Sequence, residues 1–469
     1  MRLTTLLSLM AAFSLHAADR PDVLFIAVDD LNDWTSHLGG HPQARTPNID
    51  RLVARGTSFT NTQCAAPACN PSRAALMSGM RPWQTGIYTN GDPAQGVLKD
   101  TLTLNRHFLA SGYNCQGGGK IYHGGGSEGR KDTWTKWMDR FPSIPEKEQN
   151  YNGLKSGHFD WGPVDAKPDD MGDHKLTTWA VEQLQNAPAD QPIFLAVGYV
   201  KPHLPWYVPR EYFDRFPLDT IQLPHVLEGD LADVPPAGVS MAKPQGDHAA
   251  VIQGGQWAKA VQAYLATVSF LDDQVGRLLD GLDASPRKDK TLIVWWTDHG
   301  WHLGEKEHWR KFALWEEATR TDFAIVAPGI GKPGQKCAAP VDYLSVYPTL
   351  CALTGLPVPA HVKGPSLLPL LKDPAASWPH LSVCTHGRGN HAVRDTRWRH
   401  IRYADGSEEL YDHAADPYEH KNLAADPAHA AEKVRLAAAM PALKDEVPSI
   451  SRAEKAAEKK PGKKKKTAG

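Results

Sequence analysis

Three stretches of this chain are apolar at nearly every position and then stop abruptly at charged or polar residues. No other pattern constrains the fold as much. Val23-Leu24-Phe25-Ile26-Ala27-Val28 stops at Asp29-Asp30, Leu292-Ile293-Val294-Trp295-Trp296 stops at Thr297-Asp298-His299-Gly300, and the run 193–200 stops at Lys201-Pro202-His203. A weaker fourth, Tyr113-Asn114-Cys115, leads through Gly117-Gly118-Gly119 to Lys120 and His123. Strands that are apolar on both faces have to be covered on both faces, which is the situation in an α/β sheet. In open α/β sheets the site lies beyond the carboxyl ends of the strands, so these distant polar groups are expected to converge in one crevice.

Helices fit between the strands. Residues 47–56 carry an opening proline, apolar spacing and a closing glycine. Residues 262–282 place Leu265, Val268, Leu271, Val275 and Leu278 at helical spacing. Both read as packing elements. The Pro- and Ala-containing link 369–379 marks a subdomain boundary, and 381–385, 392–394, 398–403 and 409–412 then read as short strands of an antiparallel unit. The expected organisation is an α/β domain over 19–375, the small antiparallel subdomain over 376–440 and a disordered Lys-rich tail over 441–469.

Arg2, an apolar run over 6–15 and Ala17-Ala18 read as a secretory signal peptide spanning 1–18. That run is far below the roughly 20 residues of a membrane span, and no later segment is long enough, so a periplasmic or secreted protein is expected. A formal charge of -1 gives no global steering towards nucleic acid. The six cysteines are widely spaced, with no CxxC and no disulfide framework, and one or two disulfides after export are compatible with them.

Cys69 opens the pentapeptide Cys69-Asn70-Pro71-Ser72-Arg73, which is followed by the helical run Ala74-Ala75-Leu76-Met77 and by Gly79-Met80-Arg81-Pro82. A cysteine alone is most often a buried structural thiol. Here, however, Pro71 suits a first helical turn, which puts Cys69 at a helix entrance that favours negative charge. Such a place activates a nucleophile and holds an oxyanion. Arg73, one turn later, can reach back towards the head group of residue 69.

The pentapeptide resembles the signature of type I sulfatases, and the chain is similar to the iduronate-2-sulfatase branch of that family at several further places. These include Val28-Asp29-Asp30-Leu31, Gly119-Lys120-Ile121-Tyr122-His123, Lys201-Pro202-His203-Leu204-Pro205 and Thr297-Asp298-His299-Gly300-Trp301. The resemblance implies an alkaline-phosphatase-like α/β fold, a central mixed sheet flanked by helices with a smaller C-terminal antiparallel subdomain. It implies that Cys69 is oxidised by a formylglycine-generating enzyme to formylglycine, whose gem-diol attacks sulfur. It also implies one divalent cation, Ca²⁺ in the family, at Asp29, Asp30, residue 69, Asp298 and His299. On its own an Asp-Asp pair after a strand reads more often as a strand-to-helix turn, and the Cys69 motif reverses that balance. His299 replaces the commoner Asn, and imidazole nitrogen is a poor match for calcium, so the metal's identity is more open than its presence.

By position, Lys120, His123, His203 and Lys311 match the sulfate-binding and proton-transfer residues of the family, with Arg310 and Lys306 as neighbouring alternatives to Lys311. Two lysines suit sulfate oxygens, and two histidines suit proton transfer near neutral pH, with their division of labour left open. Trp301 is the candidate pocket wall. In the C-terminal part, His386, Arg388, His391 and Arg394 either reach the substrate pocket or form a solvated basic face. The expected substrate is a sulfated uronate or polysaccharide-derived oligosaccharide. The rivals are a formylglycine-dependent phosphonate or phosphodiester hydrolase and a non-catalytic binder of sulfated glycans.

Overall fold

The computed structural model describes residues 20–124, 133–138, 142–145, 149–188 and 190–450; the expected signal peptide and the Lys-rich stretch after 450 lie outside them. The apolar run that ends at Asp29-Asp30 is the middle of an eight-stranded sheet. It forms β1 (Asp22–Asp29), buried at all eight positions. The other strands are β2 (Thr57–Phe59), β3 (Asn114–Gly119), β4 (Lys136–Met138), β5 (Ile193–Pro202), β6 (Thr291–Thr297), β7 (Phe323–Val326) and β8 (Gln335–Cys337). They lie in the order β8-β2-β7-β6-β1-β5-β3-β4. β6, β1, β5, β3 and β4 pair in parallel, whereas β7 runs antiparallel to both β6 and β2, so the sheet is mixed as expected. Parallel pairing brings the carboxyl ends of β6, β1, β5 and β3 to one edge, and this is why polar groups far apart in sequence meet there.

Side-chain alternation divides the core between two helical layers. Leu24, Ile26, Val28, Leu195 and Val197 pack with α1 (Pro47–Val53), α3 (Gly172–Asn186) and the long α5 (Trp257–Asp283). Val23, Phe25, Ala27, Phe194 and Val294 pack with α2 (Cys69–Ser78) and α6 (Val346–Thr354) on the other face. A short α4 (Pro236–Ala242) lies between α3 and α5 in the chain. α5 starts five residues before the periodic stretch 262–282. Trp257 holds that first turn by donating Nε1 to the Leu303 carbonyl at 2.7 Å, a tertiary contact that periodicity does not register.

The C-terminal sheet runs β9 (Ser382–Thr385), β10 (His391–Arg394), β11 (Trp398–Arg402) and β12 (Glu408–Asp412), with consecutive strands antiparallel. Its seam with the large sheet combines apolar packing, through Cys384, Ala392, Ile401 and Tyr411, with buried ion pairs. The wholly buried Arg399 pairs with Glu316 and with Glu419, and donates to Gln63 Oε1 at 3.1 Å and to the Leu314 carbonyl at 3.0 Å. The Thr385 amide donates to the Ala65 carbonyl at 3.0 Å, and Trp315 Nε1 donates to Glu409 at 2.8 Å. The small sheet therefore grips the chain just before Cys69 and just after Lys311. Residues 441–450, read from sequence as the start of the tail, are packed: Glu446 accepts from the Gly389 amide and pairs with His391 Nε2 of this sheet, each at 3.0 Å, and the Val447 amide donates to the Trp83 carbonyl at 2.8 Å. All six cysteines are free. No described helix is long and apolar enough to cross a membrane.

Candidate active site

Cys69 is the first residue of α2, and all ten residues of this helix are buried. Ala68 before it is extended, the Asn70 amide is taken by Asn90 Oδ1 at 3.0 Å, and Ser72 Oγ donates to the Asp298 carbonyl at 2.5 Å. Gly79 ends the helix at φ +67, the left-handed cap that glycine adopts without strain. Burial pushes the Cys69 thiol up to about 12 despite Lys120 and Lys311 nearby, so the unmodified side chain stays a thiol at neutral pH.

Three carboxylates face this thiol from neighbouring strand ends. Asp29 ends β1 and Asp30 follows it, and Asp298 follows β6. The Asp30 amide donates to Asp298 Oδ1 at 3.1 Å, and the Asp298 amide donates to the Val28 carbonyl at 3.1 Å. Asp30 has φ +63, a left-handed conformation that a non-glycine residue keeps only where its surroundings impose it. Arg73, expected to reach back to residue 69, is spent on the carboxylates. It donates to Asp298 Oδ2 at 2.9 Å and Asp29 Oδ1 at 3.4 Å, to the carbonyls of Val28 and Ile121 at 3.1 and 3.3 Å, and to that of Lys120. Burial works to raise Asp29, but Lys120, His203, Arg73 and Lys311 hold its carboxyl well below the usual range. Asp30 goes the other way, raised by burial with Lys311 opposing.

The donor set fits a cation. Asp29, Asp30, Cys69 and His203 offer ligand atoms within 4.8 Å of one another, as do Asp29, Cys69, Asp298 and His299. His299 Nδ1 is 3.0 Å from the Gly300 carbonyl, which puts a proton on Nδ1, and burial lowers the ring's pKa, which favours the neutral form with a lone pair on Nε2. That lone pair faces Cys69 Sγ, Asp30 Oδ1 and Asp298 Oδ1, each at 3.4 Å. A lone pair set against two carboxylate oxygens is repulsive unless positive charge stands between them. Asp30 Oδ2, also buried, has no hydrogen-bond partner among the described residues.

The basic groups surround this cluster. Lys120, one residue past β3, donates to Asp29 Oδ2. Lys311 Nζ is 2.5 Å from Asp30 Oδ1 and 3.2 Å from Cys69 Sγ; burial works against its charge, but Asp30 and its neighbours raise the ammonium above its usual range. Lys306 and Arg310 lead elsewhere, to Asp230 at 2.8 Å and Asp247 at 2.5 Å. His203 Nε2 is 3.8 Å from Asp30 and 4.0 Å from Asp29, while its Nδ1 meets the Leu204 carbonyl at 2.5 Å; burial takes the ring well below its usual value. His123 lines a small cavity with Asn70, Asn105 and Tyr122, and burial and then Lys120 bring it down to about 4. Trp301, expected as a pocket wall, is only 1% exposed and lies beneath Lys311, its ring 5.2 Å from the ammonium.

Several supporting residues carried no assigned role from sequence. Asp173 accepts the amides of Val200 and Lys201 at 3.0 and 2.8 Å, and Lys201 Nζ donates to the carbonyls of His203 and Pro205, so the end of β5 that presents His203 is fixed. Tyr264 of α5 donates to the Asp30 carbonyl at 2.8 Å. His308 stands between the carbonyls of Ala242 and Lys311, each at 2.7 Å. Lys201 and Tyr264 sit inside stretches the sequence singled out; Asp173 and His308 have no local signal. Of the four C-terminal candidates, His386 lines a cavity beside the site. Arg388 turns to the Leu443 carbonyl, His391 to Glu446 and Arg394 to Glu316.

The chain is similar over most of its length to known proteins. The family model described as Sulfatase matches residues 21–356, and that described as N-sulphoglucosamine sulphohydrolase, C-terminal, matches 304–446. A sulfatase of Formosa agariphila is 40% identical over 87% of this chain and 83% of that protein. Iduronate 2-sulfatase of Homo sapiens is 29% identical over 84% of this chain and 76% of that protein. Among solved structures, phosphonate monoester hydrolase from Silicibacter pomeroyi superposes with a TM-score of 0.75 at 23% identity, covering 89% of this chain and 94% of that one, which is a likeness of fold.

Proposed function

The chain belongs to the sulfatase family and is a sulfuric ester hydrolase, and on that premise we propose that it removes sulfate from a sugar, using a formylglycine made from Cys69 and one divalent cation. The substrate is a sulfated uronate or an oligosaccharide derived from a sulfated polysaccharide, a reading supported by the likeness to iduronate 2-sulfatase. The observation that carries the mechanism is the buried cluster in which residue 69 at the start of α2, three carboxylates at the ends of β1 and β6, and Lys311 come together.

Asp29, Asp30, Asp298, His299 and residue 69 would hold the cation, Ca²⁺ or a similarly hard ion; bound there, it supplies charge against the sulfate and polarises an oxygen on sulfur. As formylglycine, residue 69 supplies a gem-diol, with one hydroxyl for attack on sulfur and a second to expel sulfate afterwards. Lys120 and Lys311 bind sulfate oxygens as point charges. Arg73 positions Asp29 and Asp298 and so keeps the acidic cluster in register. His123 and His203 form the proton-transfer pair, one taking a proton from residue 69 and the other giving one to the departing alcohol. Because His203 Nδ1 donates to the Leu204 carbonyl, Nε2 is its exchanging atom. Export through the segment 1–18, with conversion by a formylglycine-generating enzyme before or during export, places the enzyme in the periplasm or outside the cell.

A phosphonate or phosphodiester hydrolase could use the same groups, but the likeness to one at 23% identity is of fold alone. The non-catalytic reading calls for lost catalytic positions, and Cys69, Arg73, Lys120, His123, His203 and Lys311 all stand in the sequence. The test is peptide mass spectrometry of residue 69, paired with sulfate release from a panel of sulfated sugars, with phosphonate and phosphodiester controls. Formylglycine at 69 and sulfate release that disappears in Cys69→Ala are expected. An unmodified thiol in active protein, or faster cleavage of the phosphorus esters, overturns the reading.

A further inference from the structure

Beside the nucleophile cluster is a cavity of about 410 Å³ that none of the roles above uses. Its walls come from three separate parts of the chain: the turn after α4 (Lys243, Asp247, His248), the turn around Lys311 (Arg310, Phe312) and the turn after β9 (His386). It adjoins the site through residues already placed. The Lys311 ammonium that touches Cys69 is 5.8 Å from the Phe312 ring. Arg310 Nη1 is 3.3 Å from His158 Nε2, and the His158 ring stacks towards His203 at 6.4 Å.

The charge in this cavity is lopsided. Arg310 is answered by Asp247, with Nε and Oδ2 2.5 Å apart. The Lys243 ammonium has no hydrogen bond or ion pair among the described residues, and the buried Nδ1 atoms of His248 and His386 have no hydrogen-bond partner there. Lys243 (φ +53), Arg310 (φ +77) and Phe312 (φ +76) all hold the left-handed backbone that non-glycine residues avoid. Strain of this kind persists where surrounding structure imposes it, and it clusters at ligand clamps. A concave site of this size with a few convergent polar groups and one uncompensated cation suits an anionic ligand group.

We propose that this cavity is a subsite for a second anionic group of the substrate, a carboxylate or a further sulfate, with Lys243 as its charge partner and His386 as a polar contact from the C-terminal sheet. This rests on the sulfatase reading and deepens it. The ester sulfate is held by Lys120 and Lys311 while the second anion is held by Lys243, so a saccharide is selected by two charges at once. The C-terminal sheet then takes part in recognition as well as in holding the chain around Cys69.

The test compares wild type with Lys243→Gln and His386→Gln on four substrates: a sulfated uronate, its carboxyl-reduced form, a disulfated neutral sugar and a neutral aryl sulfate. Lys243 is exposed, and melting curves check that each variant is folded. For Lys243→Gln, kcat/KM on the preferred dianionic substrate is expected to fall about ten- to hundredfold, mainly through KM, the worth of a hydrogen bond to a charged group. The loss on the aryl sulfate is expected to be several-fold smaller. A loss confined to the uronate identifies a carboxylate, and one confined to the disulfated sugar identifies a second sulfate. Equal losses on dianionic and neutral substrates, or none, overturn the subsite. Calorimetry with Cys69→Ala separates the two readings. Uronate binding that weakens with Lys243→Gln, in a protein whose wild type releases no sulfate, keeps the subsite and sinks the sulfatase reading; binding indifferent to Lys243 sinks the subsite.

Discussion

The Arg73 guanidinium donates to Asp298 Oδ2 at 2.9 Å, and both side chains are fully buried. Removing one partner of such a pair leaves a charge stranded in low dielectric, at a cost of about 3–5 kcal/mol. Arg73→Ala is therefore expected to lose stability of that order in urea unfolding and to lose cation binding with it. Arg73→Lys keeps a charge but not the fork that spans Asp298 and Asp29, so it recovers part of the stability and little of the activity. An Arg73→Ala protein that unfolds at the wild-type midpoint contradicts this account.

Gly198 tests how closely β5 and the end of β3 are fitted. A Cβ there would meet the Lys120 backbone, with C at 2.3 Å and N and O at 2.5 Å. Backbone cannot swing aside as a side chain does, so Gly198→Ala pushes Lys120 away from Asp29. The expected result is a loss of about 1–3 kcal/mol, typical of overpacking, together with a raised KM for the sulfate ester. A variant that melts lower but keeps wild-type KM would show that Lys120 has not moved.

The His299 lone pair predicts a metal-dependent enzyme with an adjustable preference. Dialysis against a chelator is expected to abolish sulfate release, and Ca²⁺ to restore it. His299→Asn offers an oxygen in place of nitrogen and is expected to shift affinity towards Ca²⁺ relative to Mn²⁺, read by calorimetry on both ions. Full activity after exhaustive chelation refutes the cation's role.

Acid sensitivity follows from two histidines. Burial, with Lys120, takes His123 from 6.5 to about 4; burial, with His308 and Lys243, does the same to His386. Between those values the unfolded chain binds protons that the folded protein refuses, so folding stability falls as pH drops from about 6.5 towards about 4. His386→Gln removes one such proton and is expected to flatten the slope in that window, measured by urea unfolding at a series of pH values. Parallel curves for wild type and variant exclude His386 as a contributor.

What could be read from sequence was whatever the chain writes locally. The apolar runs marked their strands because both faces of β1, β5 and β6 are covered, and parallel pairing then placed Asp29, Asp298 and His203 at one edge without any knowledge of contacts. The small antiparallel sheet was readable from alternation and turns. The direction of Arg73 was not, since spacing along a helix favours residue 69, whereas the partners that win its donors lie on other strands. Trp301 read as a wall because it follows the Asp298-His299 motif, yet the large domain covers it. His308 and Asp173 escaped for a related reason: each matters through backbone groups brought to it from elsewhere in the fold.

Cys69 has no exposed surface in the folded chain. On the formylglycine reading, a modifying enzyme can reach that thiol only while the segment is still open, before β1, β6 and the C-terminal sheet close around α2. The active fraction of any preparation is then settled at synthesis. Molecules that fold unconverted stay inert however long they persist, and specific activity becomes a record of the race between oxidation and folding in the cell that made the protein.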